Sequence, residues 1–239
     1  MKKIFYPLFV MALALSIPTN AYAMHIAEGF LSVNWCLFYF VLAAPFIFFS
    51  LRDINKKTSK NKELKMLLAL VAAYVFMLSA MKIPSVTGSS SHPTGTGLGA
   101  IIFGPVVMGS VSLVVLLFQA VLLAHGGLTT LGANVISMGI VGPFIAYGIY
   151  MIFRNKNKKV AVFLGAALGD LATYIVTSLQ LALAYPSATG GIMASFVKFG
   201  TIFAITQIPL AIVEGLVSVM VYEFITKHCS DELVALGEV

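Results

Sequence analysis

The residues best suited to chemistry are a Met–His pair and two further histidines. His25 directly follows Met24. With Met24 as a free N-terminus, its α-amine, the His25 backbone nitrogen and His25 Nδ1 close two fused chelate rings on one ion. The amine has a pKa of about 8, so a metal displaces its proton readily. The amide nitrogen must also lose its proton, which demands a strongly Lewis-acidic divalent ion. Three nitrogens in one plane leave a fourth position. His92, in the loop GSSSHPTGTG, is the natural donor for it, and His125, in LAHGG, is the competitor. A planar nitrogen site suits Ni²⁺, Cu²⁺ or Co²⁺ better than Zn²⁺, which prefers a tetrahedron, or Mg²⁺, which prefers oxygen. A lone histidine is ordinarily a hydrogen-bonded loop or headgroup residue. For His125 that ordinary reading is favoured.

This chemistry needs a processed N-terminus. Lys2 and Lys3 precede an apolar stretch, Ile4 to Ile17, which Pro18 and Asn20 break. Ala21-Tyr22-Ala23 then fits an A-x-A cleavage site, so residues 1–23 read as a secretory signal peptide. Cleavage makes Met24 the terminus, on the outer face, and leaves 24–239 as a single transmembrane domain. The alternative is an uncleaved first membrane helix.

The rest of the chain must hold these residues in a bilayer. Hydrophobic residues make up 59% and charged residues 10%. A soluble domain is nearer half apolar and about a quarter charged, so the surface here must face mostly lipid. Apolar runs at Val33–Leu51, Leu64–Ile83, Gly132–Phe153, Val160–Ala184 and Phe196–Ile225 are long enough to span. Leu98–Ala124 is interrupted at Gly104-Pro105 and reads as a hairpin of two short helices, tilted, partly re-entrant or shielded by neighbours. The expected fold is all-α, a polytopic transmembrane bundle of about seven helices. The basic segments Arg52–Lys65 and Arg154–Lys159 belong in the cytoplasm. That orientation puts His25, His92 and His125 outside and His228, with the C-terminus, inside.

Asp170 and Glu214 fall roughly midway along neighbouring antiparallel spans. Intramembrane carboxylates mark an ion or proton pathway or an interior hydrogen-bond network. The network is the favoured reading, with Thr173, Thr177, Gln180, Thr206 or Gln207 as partners. Gly165-x-x-x-Gly169 permits close helix approach, within the bundle or against a partner. Lys82 and Lys198 fall near outer helix ends and are expected to snorkel. Cys36 and Cys229 are too isolated for a disulfide framework or a thiolate metal site. Gly95-Thr96-Gly97-Leu98-Gly99-Ala100 superficially fits the dinucleotide fingerprint but lacks its βαβ context. A P-loop and an H-E-x-x-H motif are both absent from the sequence, and nothing resembles an enzyme's constellation. No cofactor is expected. Energy for uphill transport must come from partner subunits or an ion gradient.

Several long segments resemble the CbiM family, the cobalt-specific substrate-binding (S) components of energy-coupling-factor (ECF) ABC transporters. They are MHIAEGFLS, KIPSVTGSSSHPTGTGLGAIIFGP, LLFQAVLLAHGGLTTLGAN, LGDLATYIVTSLQLALAYP and KFGTIFAITQIPLAIVEGL. The similarity runs from Met24 to about Tyr222. Family members usually carry Pro or Met at the position of Ala27, and often Cys at that of Ser90. Neither position is a proposed ligand. The resemblance implies an S-component fold with an extra N-terminal helix, and metal ligation by Met24, His25 and His92. It also implies work with a transmembrane coupling subunit, an ATPase and a small auxiliary membrane subunit, in supplying Co²⁺ for cobalamin biosynthesis. Nickel uptake and a stand-alone proton-coupled permease remain the alternatives, and so does a non-transporting metal sensor or assembly protein.

Overall fold

The computed structural model describes residues 25–59, 61–85 and 90–237. Residues 1–23, expected to be a signal peptide, and Met24 lie outside the described residues. Among the described residues, six helices are long and apolar enough to cross a bilayer. They are α1 (Val33–Thr58), α2 (Lys62–Ala80), α4 (Pro105–Leu123), α5 (Leu131–Phe153), α6 (Lys158–Ala184) and α7 (Gly191–His228). A short α3 (Thr96–Phe103) precedes α4, and α8 (Ser230–Leu236) follows α7. Counting α3, seven helices among the described residues build the bundle, consistent with the about seven expected from the hydropathy pattern. Large apolar side chains such as Val41, Leu122 and Met220 point outward, as a lipid-facing surface requires. The protein is a multi-pass membrane protein.

The basic segments supply helix starts. Asn61 accepts from the amides of Glu63 at 2.8 Å and Leu64 at 3.2 Å, capping α2. Asn157 caps α6 in the same way, through Lys159 and Val160. The break expected at Gly104-Pro105 is present. Gly104 has φ +84°, which ends α3, and Pro105 starts α4. Eight residues of helix rise only about 12 Å, far short of the roughly 30 Å hydrocarbon core. α3 is tolerated because every one of its residues is buried in protein. Lys57 reaches up from α1 to cap its C-terminal end, donating to the Phe103 carbonyl at 2.5 Å and to Asp53 at 2.8 Å.

The Gly165/Gly169 motif is used inside the bundle. A Cβ on Gly169 would lie 2.7 Å from Ala146 Cβ and 3.0 Å from the Gly142 carbonyl, so α6 and α5 are nearly in backbone contact. Residues Val135–Val141 of α5 are wound as a π-helix, directly after Asn134. A two-stranded hairpin, β1 (Ile83–Pro84) with β2 (Ser90–Ser91), pairs Ile83 with Ser91 and Pro84 with Ser90. It turns the chain from the end of α2 back into the bundle toward α3.

Candidate metal centre

Three segments converge at the end of the bundle away from the basic loops. The first is the extended stretch before α1, which carries His25. Asn134 holds it with both ends of its amide. The Ile26 N–H donates to Asn134 Oδ1 at 2.8 Å, and Asn134 Nδ2 donates to the Ile26 carbonyl at 3.2 Å. Thr130 Oγ1 donates to the same carbonyl at 2.6 Å. The Glu28 N–H donates to the Gly126 carbonyl at 3.2 Å. The Glu28 carboxylate accepts from the Thr129 amide at 3.1 Å and from its hydroxyl. Residues 25–31 are therefore fastened to the 125–134 turn.

The second segment carries His92. Tyr174 Oη accepts from the His92 N–H at 3.2 Å and donates to the His92 carbonyl at 3.0 Å. Just beyond, the Glu214 carboxylate accepts from the Thr94 amide at 2.5 Å, the Gly95 amide at 2.9 Å and Thr94 Oγ1 at 3.0 Å. These amides precede α3, so the carboxylate also meets the positive end of a helix dipole. Gln207 Nε2 bridges Asp170 Oδ2 at 2.5 Å and the His92 carbonyl at 3.4 Å. The two acids thus belong to an interior hydrogen-bond network. Of the partners expected, Gln207 takes part. Thr173 and Thr177 instead bond carbonyls of their own helix, Gln180 bonds the Ala133 carbonyl, and Thr206 meets Ser85 and Ser91.

The third segment carries His125. Ala124 adopts the left-handed region (φ 46°), and the His125 N–H donates back to the Gln119 carbonyl at 3.1 Å. This swings His125 inward. Its favoured reading as a loop or headgroup residue gives way to burial, with 3% of its surface exposed. Lys82 is exposed at the protein surface, its Nζ donating to the Leu123 carbonyl at 3.1 Å.

The three imidazoles meet. Ring centroids are 4.8 Å apart for His25–His92 and His25–His125, and 5.0 Å for His92–His125. One nitrogen from each ring lies within 4.8 Å of the other two. His92 Nε2 and His125 Nε2 are 3.0 Å apart. His92 Nδ1 lies 2.9 Å from the Pro93 carbonyl, which can only accept. Nδ1 therefore carries the proton, and Nε2 presents its lone pair to the cluster.

Burial pushes all three imidazoles toward neutrality. It lowers His25 well below the ordinary histidine range, helped by His92 and His125 and opposed by Gln119. His92 is pushed down to about 4 by burial, against its bond to Pro93. His125 is lowered strongly, by burial and then by His92. A neutral imidazole is the form that binds a metal. Gln119 is fixed in orientation. Its Nε2 donates to Ser79 Oγ, whose proton goes to the Val75 carbonyl at 2.5 Å. Gln119 Oε1 and His25 Nε2 are both buried and without a hydrogen-bond partner among the described residues.

Sequence reasoning placed His25 and His92 on one face, and the structure brings them into one cluster with His125. It did not assign roles to Gln119, Asn134, Thr130 or Glu28. Asn134, Thr130 and Gln119 lie in LLFQAVLLAHGGLTTLGAN and Glu28 in MHIAEGFLS, which was the only signal available.

The fold and site define a multi-pass helical membrane protein with a buried histidine cluster at one end. A similar architecture occurs in a crystal structure of a truncated transition metal transporter, with a TM-score of 0.73 and 27% identity over 85% of this chain and 99% of that one. The chain belongs to the CbiM family, whose profile, described as "Cobalt uptake substrate-specific transmembrane region", matches residues 25–232. It is similar to the cobalt transport protein CbiM of Clostridium tetani, at 62% identity over 100% of this chain and 99% of that protein. The protein of the same name from Desulforamulus reducens is 61% identical over 88% of this chain and 84% of its own length.

Proposed function

We propose that this protein captures Co²⁺ at the outer face of the cell membrane and delivers it into an ATP-driven ECF complex, supporting cobalamin biosynthesis. The observation that carries this reading is the buried meeting of His25 and His92, with the His92 Nε2 lone pair turned into the cluster. The Met24 amine, the His25 amide nitrogen and Nδ1, and His92 Nε2 are the proposed ligands. Removal of residues 1–23 supplies the free amine. The partners are a transmembrane coupling subunit, an ATPase subunit and a small auxiliary membrane subunit. The similarity to cobalt transport proteins over nearly the whole chain supports the choice of cargo. The all-nitrogen donor set supports Ni²⁺ as a second reading, since nitrogen ligands ordinarily bind Ni²⁺ more tightly than Co²⁺. The use of Glu214 on loop amides favours a structural role for the acids over a proton-coupled permease.

The test combines intact mass and metal content of protein purified from membranes. A mass beginning at Met24 with about one cobalt per chain is expected. Acetylating the Met24 amine should abolish tight binding, because it removes that donor from the chelate. Full affinity in the acetylated protein refutes the ligand set. Radiolabelled cobalt uptake should require the ATPase subunit. Uptake without it would favour the permease, and binding without any uptake would favour a sensor.

A further inference from the structure

We infer that Asp170 and Glu214 form a binding site for one proton, held between α6 and α7 inside the bundle, with Asp170 as the neutral acid and Glu214 as the carboxylate. The inference is independent of the metal ligands proposed above. Both side chains are 0% exposed. Their carboxyl groups lie within hydrogen-bonding reach of each other. An ionised carboxylate only accepts, so two carboxyl groups bond to one another only when one of them carries a proton. Among the described residues no Lys, Arg or His forms an ion pair with either acid. Two adjacent charges buried without a cation would repel each other and forfeit their hydration together. One shared proton removes both penalties.

The donors around the pair decide which acid holds it. Glu214 uses both oxygens as acceptors, Oε2 for the Thr94 amide at 2.5 Å and Oε1 for the Gly95 amide at 2.9 Å and Thr94 Oγ1 at 3.0 Å. These donors stand at the start of α3, where the helix dipole favours negative charge. Asp170 receives one donor, Gln207 Nε2, on Oδ2. That amide cannot be turned over, because Nε2 also donates to the His92 carbonyl, which only accepts. Asp170 Oδ1 is buried and receives no donor. It is the oxygen left to carry the proton and donate it to Glu214.

The other titratable side chains facing the pair are Tyr74 on α2 and Tyr174 on α6. Neither phenol supplies the missing proton. Tyr74 meets Ser218 at 3.1 Å, and Tyr174 donates to the His92 carbonyl at 3.0 Å. The proton therefore joins α6 to α7 directly beneath the loop that carries His92. It lets a carboxylate anchor that loop while the pair bears a single charge.

The experiment uses the full processed chain at neutral pH, with infrared spectroscopy and thermal unfolding. The unmodified protein should show the C=O stretch of a protonated carboxylic acid. Carbon-labelled aspartate should shift that band, and labelled glutamate should not. Asp170→Asn should abolish it. Asparagine reproduces the neutral acid, with Nδ2 donating to Glu214 and Oδ1 accepting from Gln207, so the melting temperature should move by less than about 3 °C. Glu214→Gln should lower it by about 4 °C or more. No acid band in the unmodified protein, or a band that follows labelled glutamate, overturns the inference, and neither result depends on a variant folding. A larger shift in Asp170→Asn than in Glu214→Gln overturns the assignment of the acid. A melting temperature raised by Na⁺ over choline at equal ionic strength, with no acid band, places a sodium ion there instead of the proton.

Discussion

Replacing Asn134 by Ala tests whether the His25 segment must be docked for metal to bind. Asn134 is 1% exposed and makes two bonds to Ile26, the residue next to His25. The Ile26 carbonyl keeps its bond from Thr130, so losing Nδ2 costs about 0.5–1.5 kcal/mol. The Ile26 N–H keeps no partner and is left buried, at a cost of about 1–3 kcal/mol. Together these shift the docked segment toward release by about 1.5–4.5 kcal/mol, a factor of roughly 10 to 2,000. Apparent affinity falls by the fraction of molecules left docked, so the factor is a ceiling on the loss. Cobalt titration of the processed protein should give a loss of about tenfold in Asn134→Ala, within that ceiling. Asn134→Asp keeps an acceptor for the N–H but sets a carboxylate beside the Ile26 carbonyl, so it should fall between. Hydrogen exchange at the Ile26 amide should accelerate in parallel. Affinity within about threefold of the unmodified protein, with the Ile26 amide still protected, would refute the argument that this clamp presents His25.

Three further outcomes are expected. Glu214→Gln keeps one acceptor but turns an NH₂ group toward a backbone N–H at the start of α3, so thermal unfolding should show a loss of about 2–3 kcal/mol. An unchanged melting temperature would count against Glu214 as the anchor of the His92 loop. Gly169→Ala drives a Cβ into Ala146 and should cost about 1–3 kcal/mol, read as reduced folded yield and melting temperature. Lowering pH should destabilise the ion-free protein. His92 titrates near 4 when folded and near 6.5 when unfolded, so the unfolded chain binds more protons between those values. The stability contributed by the neutral imidazole is present above about pH 6.5 and lost as pH falls toward about 4. A melting temperature flat across that window would exclude burial of neutral histidines.

Much of the bundle is legible in the sequence because membrane helices are written locally. A run of apolar residues must span, Gly104-Pro105 must break a helix, and Asn61 and Asn157 stand where capped helices begin. The same local logic located His25 and His92 at loop positions on one side of the membrane. It could not select between partners for a side chain, since that depends on which helices pack together and how each is rotated about its axis. Hence Asp170 was paired with one of five residues on sequence grounds, and packing chose Gln207. Glu214 closes on Thr94 and Gly95 across about 120 positions of chain, and Asn134 on Ile26 across 108. Such bonds leave no periodic trace, because they join windows that share no spacing. His125 follows the same rule. Its residue type allowed ligation, but its place beside His92 was decided by a left-handed turn at Ala124 and by the packing of α4 against α2. The sequence by itself determined that this chain lives in a membrane with histidines at one end. Only the tertiary structure decided that three of them share one buried point.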